Sequence, residues 1–290
     1  MRRIASRQNP IVARYRAAAR GDADGVMLLD GIHLVGEAVA AGVRIEEAAV
    51  AAEAIDRDET RDLLDRLEDA RVERVSVTAP VMAALSPVRS PSPIVALARR
   101  PAVSNGSLYA GRRPLVLIAV DVQDPGNLGA IVRVAEAGGA TGVIAAGASA
   151  DPLGWKALRG SMGSALRVPT VRVASAADAV AQARRHGCRV VATTPRAGTS
   201  IFDENLAVPL AIVIGGEGSG LPEALLAAAD ARVRVPMHAP VESLNAAVTA
   251  AVVVYESWRQ RLSSSMKAKE NDSTKDTKET TGHKGVGGPR

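Results

Sequence analysis

Aromatic residues are almost absent: the chain of 290 residues has one Phe, two Trp and three Tyr, 2% in all. A surface that reads single strands by stacking successive bases on aromatic rings is excluded, so any contact with nucleic acid must rest on charge and shape. One cysteine, Cys188, permits no intramolecular disulfide. Four scattered His beside it give neither H-E-x-x-H nor paired C-x-x-C spacing, so no metal site is expected. No apolar run approaches the ~20 residues of a membrane span, and no signal-peptide arrangement is visible. A reducing, aqueous compartment, the cytoplasm, is the expected location. What is present is ordinary for a folded protein, with 47% hydrophobic and 23% charged residues, which excludes wholesale disorder. The length suits two domains.

The formal charge of +5 suggests a polyanionic partner, but its location matters. Up to Leu262 the chain carries 30 Lys and Arg against 27 Asp and Glu, nearly a balance. The first twenty residues differ, with Arg2, Arg3, Arg7, Arg14, Arg16 and Arg20 and no acid. This is a local basic patch; an organelle transit peptide is the competing reading of such a segment. From Ser263 to Arg290 the sequence is rich in Lys, Ser, Thr and Gly without an apolar period, and disorder is expected.

Residues 26–35 open with a short apolar strand that runs into a helix through Ala41. Val43–Ala51 reads as a strand, 56–70 as an amphipathic helix with Leu63, Leu64 and Leu67 inward, and Val72–Val77 and Ile94–Ala98 as strands. Together they predict a small α/β domain over 1–100. Pro101 to Arg113 has the polar, Gly-containing composition of a linker. From residue 114 to 262, apolar runs alternate with helical patterns at 127–138, 154–165, 175–187, 221–229 and Ser243–Leu262. Such βα alternation implies a parallel sheet covered on both faces.

In an open parallel sheet, ligands bind beyond the carboxyl ends of the strands. Three loops there are unusual. In D-V-Q-D-P-G-N-L-G-A-I-V-R-V-A-E (Asp121–Glu136), Pro125-Gly126 turns the chain and Asn127 is placed to cap a helix. Arg133, six residues on, lies roughly 600° further around that helix, so it reaches a shared site only through how the helix packs. A plain cap and a solvated arginine would explain the same two residues. In I-V-I-G-G-E-G-S-G-L-P-E-A-L (Ile212–Leu225), four Gly around Glu217 let backbone approach a ligand closely. The loop is neither a Walker loop nor a G-x-G-x-x-G turn. In Val233–Glu256 a strand ends near Pro236-Met237, Ser243 is placed as a helix cap, and Asn245 projects from the first turn.

D-P-G-N-L-G-A-I-V-R-V-A, I-V-I-G-G-E-G-S-G-L and V-P-M-x-x-P-V-E-S-L-N-A-A-V, in that order, resemble the three motifs of the SpoU (TrmH-type) RNA ribose 2′-O-methyltransferases of the SPOUT class. The resemblance covers 114–262. More loosely, I-A-S-R-Q-N-P and M-L-L-D-G-I-H-L-V-G-E-A resemble the ribosomal-protein-like substrate-binding domain that many members carry. Ala13 stands where Lys is usual and Asp30 where Glu is usual.

The resemblance implies a C-terminal α/β domain tied in a trefoil knot, S-adenosylmethionine bound in the knotted loops, and a homodimer. Gly215, Val235 and Leu244 match positions that hold the cofactor, chiefly through backbone, and Thr193 and Met237 are assigned to the same pocket. Asn127, Arg133, Glu217 and Asn245 match the catalytic set, and Lys156–Ser164 resembles a stretch near the active site. Arg2, Arg3, Arg7, Arg14 and Arg16 are assigned to RNA contact.

Methyl transfer from a sulfonium consumes positive charge and needs no metal; positioning and partial desolvation should dominate. Arg133 is either the group that activates the 2′-hydroxyl or, because a guanidinium normally keeps its proton, a clamp on phosphate and developing alkoxide. Ribosomal RNA, by family analogy, is the expected substrate. A tRNA 2′-O-methyltransferase, a non-catalytic RNA-binding protein on the same scaffold and a small-molecule transferase are the competing readings.

Overall fold

The computed structural model describes residues 1–281 apart from Ser219; for Asn105 and residues 265–281 it describes the backbone alone. The first domain runs β1 (Arg2–Ile4), α1 (Pro10–Arg20), β2 (Val26–Asp30), α2 (Ile32–Ala40), β3 (Ile45–Ala51), α3 (Asp58–Asp69), β4 (Glu73–Val77), α4 (Ala79–Leu85) and β5 (Ile94–Arg99). Its sheet has the order β1-β4-β3-β5-β2, with β1, β4 and β3 parallel and β5 antiparallel to both β3 and β2. The basic N-terminal segment is part of this fold. Asn9 caps α1 by accepting from the Ile11 amide at 3.1 Å, Pro10 occupies the first turn, and Gly21 closes the helix with a left-handed φ of 81°. Ile11, Val12 and Tyr15 of α1 are buried against α4 and the sheet.

The stretch 101–113 is more than a linker. It holds a short helix, α5 (Asn105–Leu108), and buries Leu108 and Tyr109 against the second domain. Tyr109 stacks on His186, and the Leu108 carbonyl accepts from Thr141 Oγ1 at 2.8 Å.

The second domain follows as β6 (Leu115–Val120), α6 (Pro125–Ala137), β7 (Gly142–Ala146), α7 (Trp155–Ser161), β8 (Thr170–Val173), α8 (Ala176–Arg185), β9 (Arg189–Thr193), β10 (Thr199–Ser200), β11 (Leu210–Gly215), α9 (Glu223–Ala228), β12 (Ala231–Arg234) and α10 (Ala246–Thr281). All paired strands are parallel, in the order β10-β12-β9-β11-β6-β7-β8. Alternation along β6 shows why its apolar run is continuous: Leu115, Leu117 and Ala119 face α6 and α10, while Val116, Ile118 and Val120 face α8. The first of these apolar clusters also takes in Met27, Leu29 and Leu34, so the core is continuous between the two domains.

Three expected boundaries change. The helix expected over 154–165 is broken at Met162 and Gly163, both left-handed (φ 51° and 90°), and resumes as a turn of 3-10 helix at Ser164–Leu166. The last helix starts at Ala246, not Ser243. It also continues past Leu262 to Thr281 where disorder was expected; no Gly or Pro interrupts propagation before Gly282. The same expectation for residues 282–290 lies outside the described residues.

Candidate active site

Asp124, rather than Asn127, caps α6: its carboxylate accepts from the Asn127 amide at 2.7 Å, and Pro125 fills the first helical position. This shift frees the Asn127 side chain. Similarly, Asn245 and not Ser243 caps α10, its Oδ1 accepting from the amides of Ala247 at 2.8 Å and Val248 at 3.3 Å. With its oxygen so occupied, Asn245 must present its amide nitrogen to the site, which fixes its orientation.

Three of the four expected catalytic side chains meet. Glu217 Oε1 accepts from Asn127 Nδ2 at 2.5 Å and from Asn245 Nδ2 at 2.9 Å, and Asn127 Oδ1 accepts from Asn245 Nδ2 at 3.0 Å. They come from the starts of α6 and α10 and from the glycine loop after β11. Arg133 is not brought into this trio: it is exposed on α6, with no hydrogen bond or ion pair among the described residues. Glu217 is hydrogen-bonded to Asn127 and Asn245 and makes no such contact with Arg133 among the described residues. The six-residue offset turns the Arg133 side chain off the face that carries Asn127.

Beside the trio lies a cavity of about 590 Å³, a size suited to a nucleoside-sized ligand. All five residues assigned to the cofactor, Thr193, Gly215, Val235, Met237 and Leu244, line it, as do Glu217 and Asn245. Ile214, Leu221 and Val253 supply apolar wall. The glycine loop is needed for its shape: a Cβ at Gly215 would stand 2.9 Å from the Leu221 amide nitrogen, and one at Gly216 would collide with the Asp121 backbone.

Asp121 was missed by sequence reasoning. It sits at the end of β6 in a left-handed conformation (φ 56°), and its Oδ1 accepts from the Ala148 amide at 2.7 Å, so it ties the loop after β7 to the strand on which Gly216 rests. The available signal was a lone Asp directly after a buried strand, one of the few residue types that enter this backbone region.

The N-terminal arginines divide. Arg14 pairs with Glu46 and Glu47, Arg16 Nε donates to the Ala84 carbonyl at 3.2 Å, and Arg2 stands 3.7 Å from Glu73. Arg3 and Arg7 are exposed and make no such contact among the described residues. Burial pushes the Glu47 carboxyl up, only partly countered by Arg14. Among the described residues no group of His, Cys, Asp or Glu is placed to hold a metal ion, and no helix is long and apolar enough to cross a membrane.

A glycine-walled cavity with a polar trio beyond the strand ends of a parallel α/β domain is a ligand-binding arrangement, and comparison with known proteins gives its class. Residues 114–255 match the SpoU rRNA methylase family, and residues 17–96 match an MRM3-like substrate-binding domain. The chain is 32% identical to the 23S rRNA (guanosine(2553)-2′-O)-methyltransferase RlmP of Bacillus subtilis, over 79% of this chain and 86% of that one. It is 31% identical to an uncharacterized tRNA/rRNA methyltransferase of Synechocystis, over 90% of this chain and 95% of that one. The SpoU methyltransferase AviRb of Streptomyces viridochromogenes, solved in complex with the cofactor AdoMet, superposes with a TM-score of 0.80 at 30% identity, covering 88% of this chain and 99% of that one. The chain belongs to the SpoU rRNA methylase family.

Proposed function

We propose that this protein transfers a methyl group from S-adenosylmethionine to a ribose 2′-hydroxyl of large-subunit ribosomal RNA. One observation carries the reading: Glu217 and Asn245 belong both to the polar trio and to the wall of the cavity, so a methyl donor there would lie next to polar side chains able to hold the acceptor. The cavity fits the cofactor in volume and chemistry, with Leu221, Leu244 and Val235 as apolar wall for an adenine and the backbone of Gly215–Gly216 open to close approach. Held by Gly215, Val235 and Leu244, S-adenosylmethionine would supply an electrophilic sulfonium methyl group for a ribose 2′-hydroxyl, with a neutral thioether as leaving group and loss of the hydroxyl proton.

The residues of the chain contribute positioning and electrostatics. Glu217 locks the two Asn amides, and Asn127 and Asn245, with their orientation fixed, form a preorganised wall for the sugar. Arg133, with a free guanidinium, clamps phosphate and stabilises charge developing on the 2′ oxygen. Arg3 and Arg7 remain the N-terminal arginines open to RNA.

A homodimer is part of the same proposal. Val248, Tyr255, Trp258 and Leu262 form an exposed apolar stripe along α10, and α10 packs against α6, where Val254 abuts Gly138. A second copy covering the stripe would take its apolar surface out of water. A trefoil knot in the loops that wall the cavity, and a cytoplasmic location, follow from the same reading. The 23S rRNA targets in the names of relatives such as RlmP favour ribosomal RNA over tRNA. The intact trio disfavours a non-catalytic RNA-binding protein. Calorimetric titration with S-adenosylmethionine, followed by transfer of labelled methyl to ribosomal RNA and to tRNA in parallel, tests the reading. Binding without transfer to either RNA would overturn it.

A further inference from the structure

Among the described residues, every ion pair between the first domain and the second reaches one segment, residues 151–167. Arg100 pairs with Asp151 at 2.5 Å, Asp30 accepts from Arg159 Nη1 at 2.7 Å, and Glu37 pairs with Arg167. Trp155, at the start of α7, packs against the apolar cluster of the first domain that includes Ile11 and Tyr15. Of these links the most enclosed is the one at Asp30. Its side chain is fully buried, and besides Arg159 it accepts from Ser86 Oγ at 3.1 Å and Ser92 Oγ at 3.2 Å. A buried carboxylate with three donors is strongly placed, and loss of one donor is felt by its surroundings.

On its other side the same segment touches the catalytic helix with no side chain between. A Cβ at Gly129 of α6 would stand 2.8 Å from the Ser161 amide nitrogen, and one at Gly160 of α7 would stand 3.2 Å from the Gly126 carbonyl oxygen. Asn127 lies between Gly126 and Gly129. Backbone packed on backbone has no rotamer with which to absorb a displacement, so a shift of α7 passes to the first turn of α6.

We propose that Arg159 is a positioning residue for the transfer: anchored on Asp30 of the first domain, it holds α7 against α6 and so sets Asn127 and the trio it belongs to. The substrate domain thereby supports the catalytic geometry as well as carrying RNA. The cofactor cavity is walled by the ends of β9, β11 and β12 and the start of α10, not by α7. Displacement of α7 should therefore reach the trio and leave the cofactor in place.

The inference rests on the transferase reading for its kinetic arm, and a second arm is independent of activity. In the full-length chain, Arg159→Met is expected to lower kcat about tenfold or more, consistent with the cost of small misplacements, while S-adenosylmethionine affinity stays within twofold of wild type. Arg159→Lys, whose ammonium still reaches Asp30, is expected to recover activity to within about threefold of wild type, and Asp30→Asn combined with Arg159→Met to cost less than the product of the two single losses. In hydrogen exchange, Arg159→Met should speed the amides of Asn127, Leu128 and Gly129 about tenfold and leave buried amides of α10 unchanged. A kcat within twofold of wild type, cofactor affinity falling in parallel with kcat, or unchanged exchange in the first turn of α6 would each overturn the inference. If the wild-type chain transfers no methyl group, the functional reading falls and the exchange measurement alone decides this one.

Discussion

Glu217 concentrates two hydrogen bonds on a single oxygen, and those bonds fix the amides of Asn127 and Asn245. Glu217→Ala and Asn127→Ala are each expected to lower kcat about 100-fold with cofactor affinity changed less than about threefold, since preorganised polar groups act on the transition state. The double variant should lose little more than either single one, because both remove the same unit. Single-turnover methylation with each variant checks this. The types and positions of these residues were legible as a motif resemblance. That Arg133 and Asn127 leave the helix on different faces was legible from their six-residue offset; that the packing of α6 does not bring Arg133 back to the trio was not. Glu47 offers a test on stability. Its carboxyl, raised by burial, binds a proton more tightly in the folded than in the unfolded chain, so its ionised form costs stability as pH rises through the raised value. Glu47→Gln should raise Tm at pH 7, and the gain should shrink as the pH is lowered through the carboxylate range and wild-type Glu47 itself becomes protonated.

At the scale of elements, the contact of α6 with α7 has no slack. Gly129→Ala is expected to destabilise the fold by about 2–3 kcal/mol through overpacking against the backbone of α7, and urea denaturation would show it. Replacement of the helix cap in Asp124→Ala should cost about 1 kcal/mol. The strands and most helices were legible from apolar runs and caps, because a sheet covered on both faces leaves long uninterrupted hydrophobic stretches. The ends of helices were not. Asn127 and Ser243 are both good capping residues, yet Asp124 and Asn245 hold those positions; Pro125 directly after Asp124 was a local signal for the earlier start, whereas the hydrogen bond of Asn245 to Glu217 joins segments remote in sequence. The break at Met162–Gly163 was hidden for a related reason: Gly163 lies against Glu37, which is remote in sequence.

For the whole molecule, the exposed Val248, Tyr255, Trp258 and Leu262 on α10 predict self-association. Sedimentation should show a dimer at micromolar concentration, and Trp258→Glu should shift it toward monomer and reduce transfer together. A fully active wild-type monomer would remove the dimer from the account. A change of pattern near residue 100 was visible in the sequence and falls between the two sheets, whereas the shared apolar core and the links through 151–167 depend on side chains brought together only by folding. The central claim, methylation of ribose rather than of a base, is tested most directly by incubating the protein with methyl-labelled S-adenosylmethionine and large-subunit ribosomal RNA that lacks the modification. The RNA is then digested to nucleosides and the label located by mass spectrometry. The account predicts one labelled nucleoside carrying its new methyl on the 2′ oxygen, formed about 100-fold more slowly with Asn127→Ala; label on a base, or none despite cofactor binding, would contradict it.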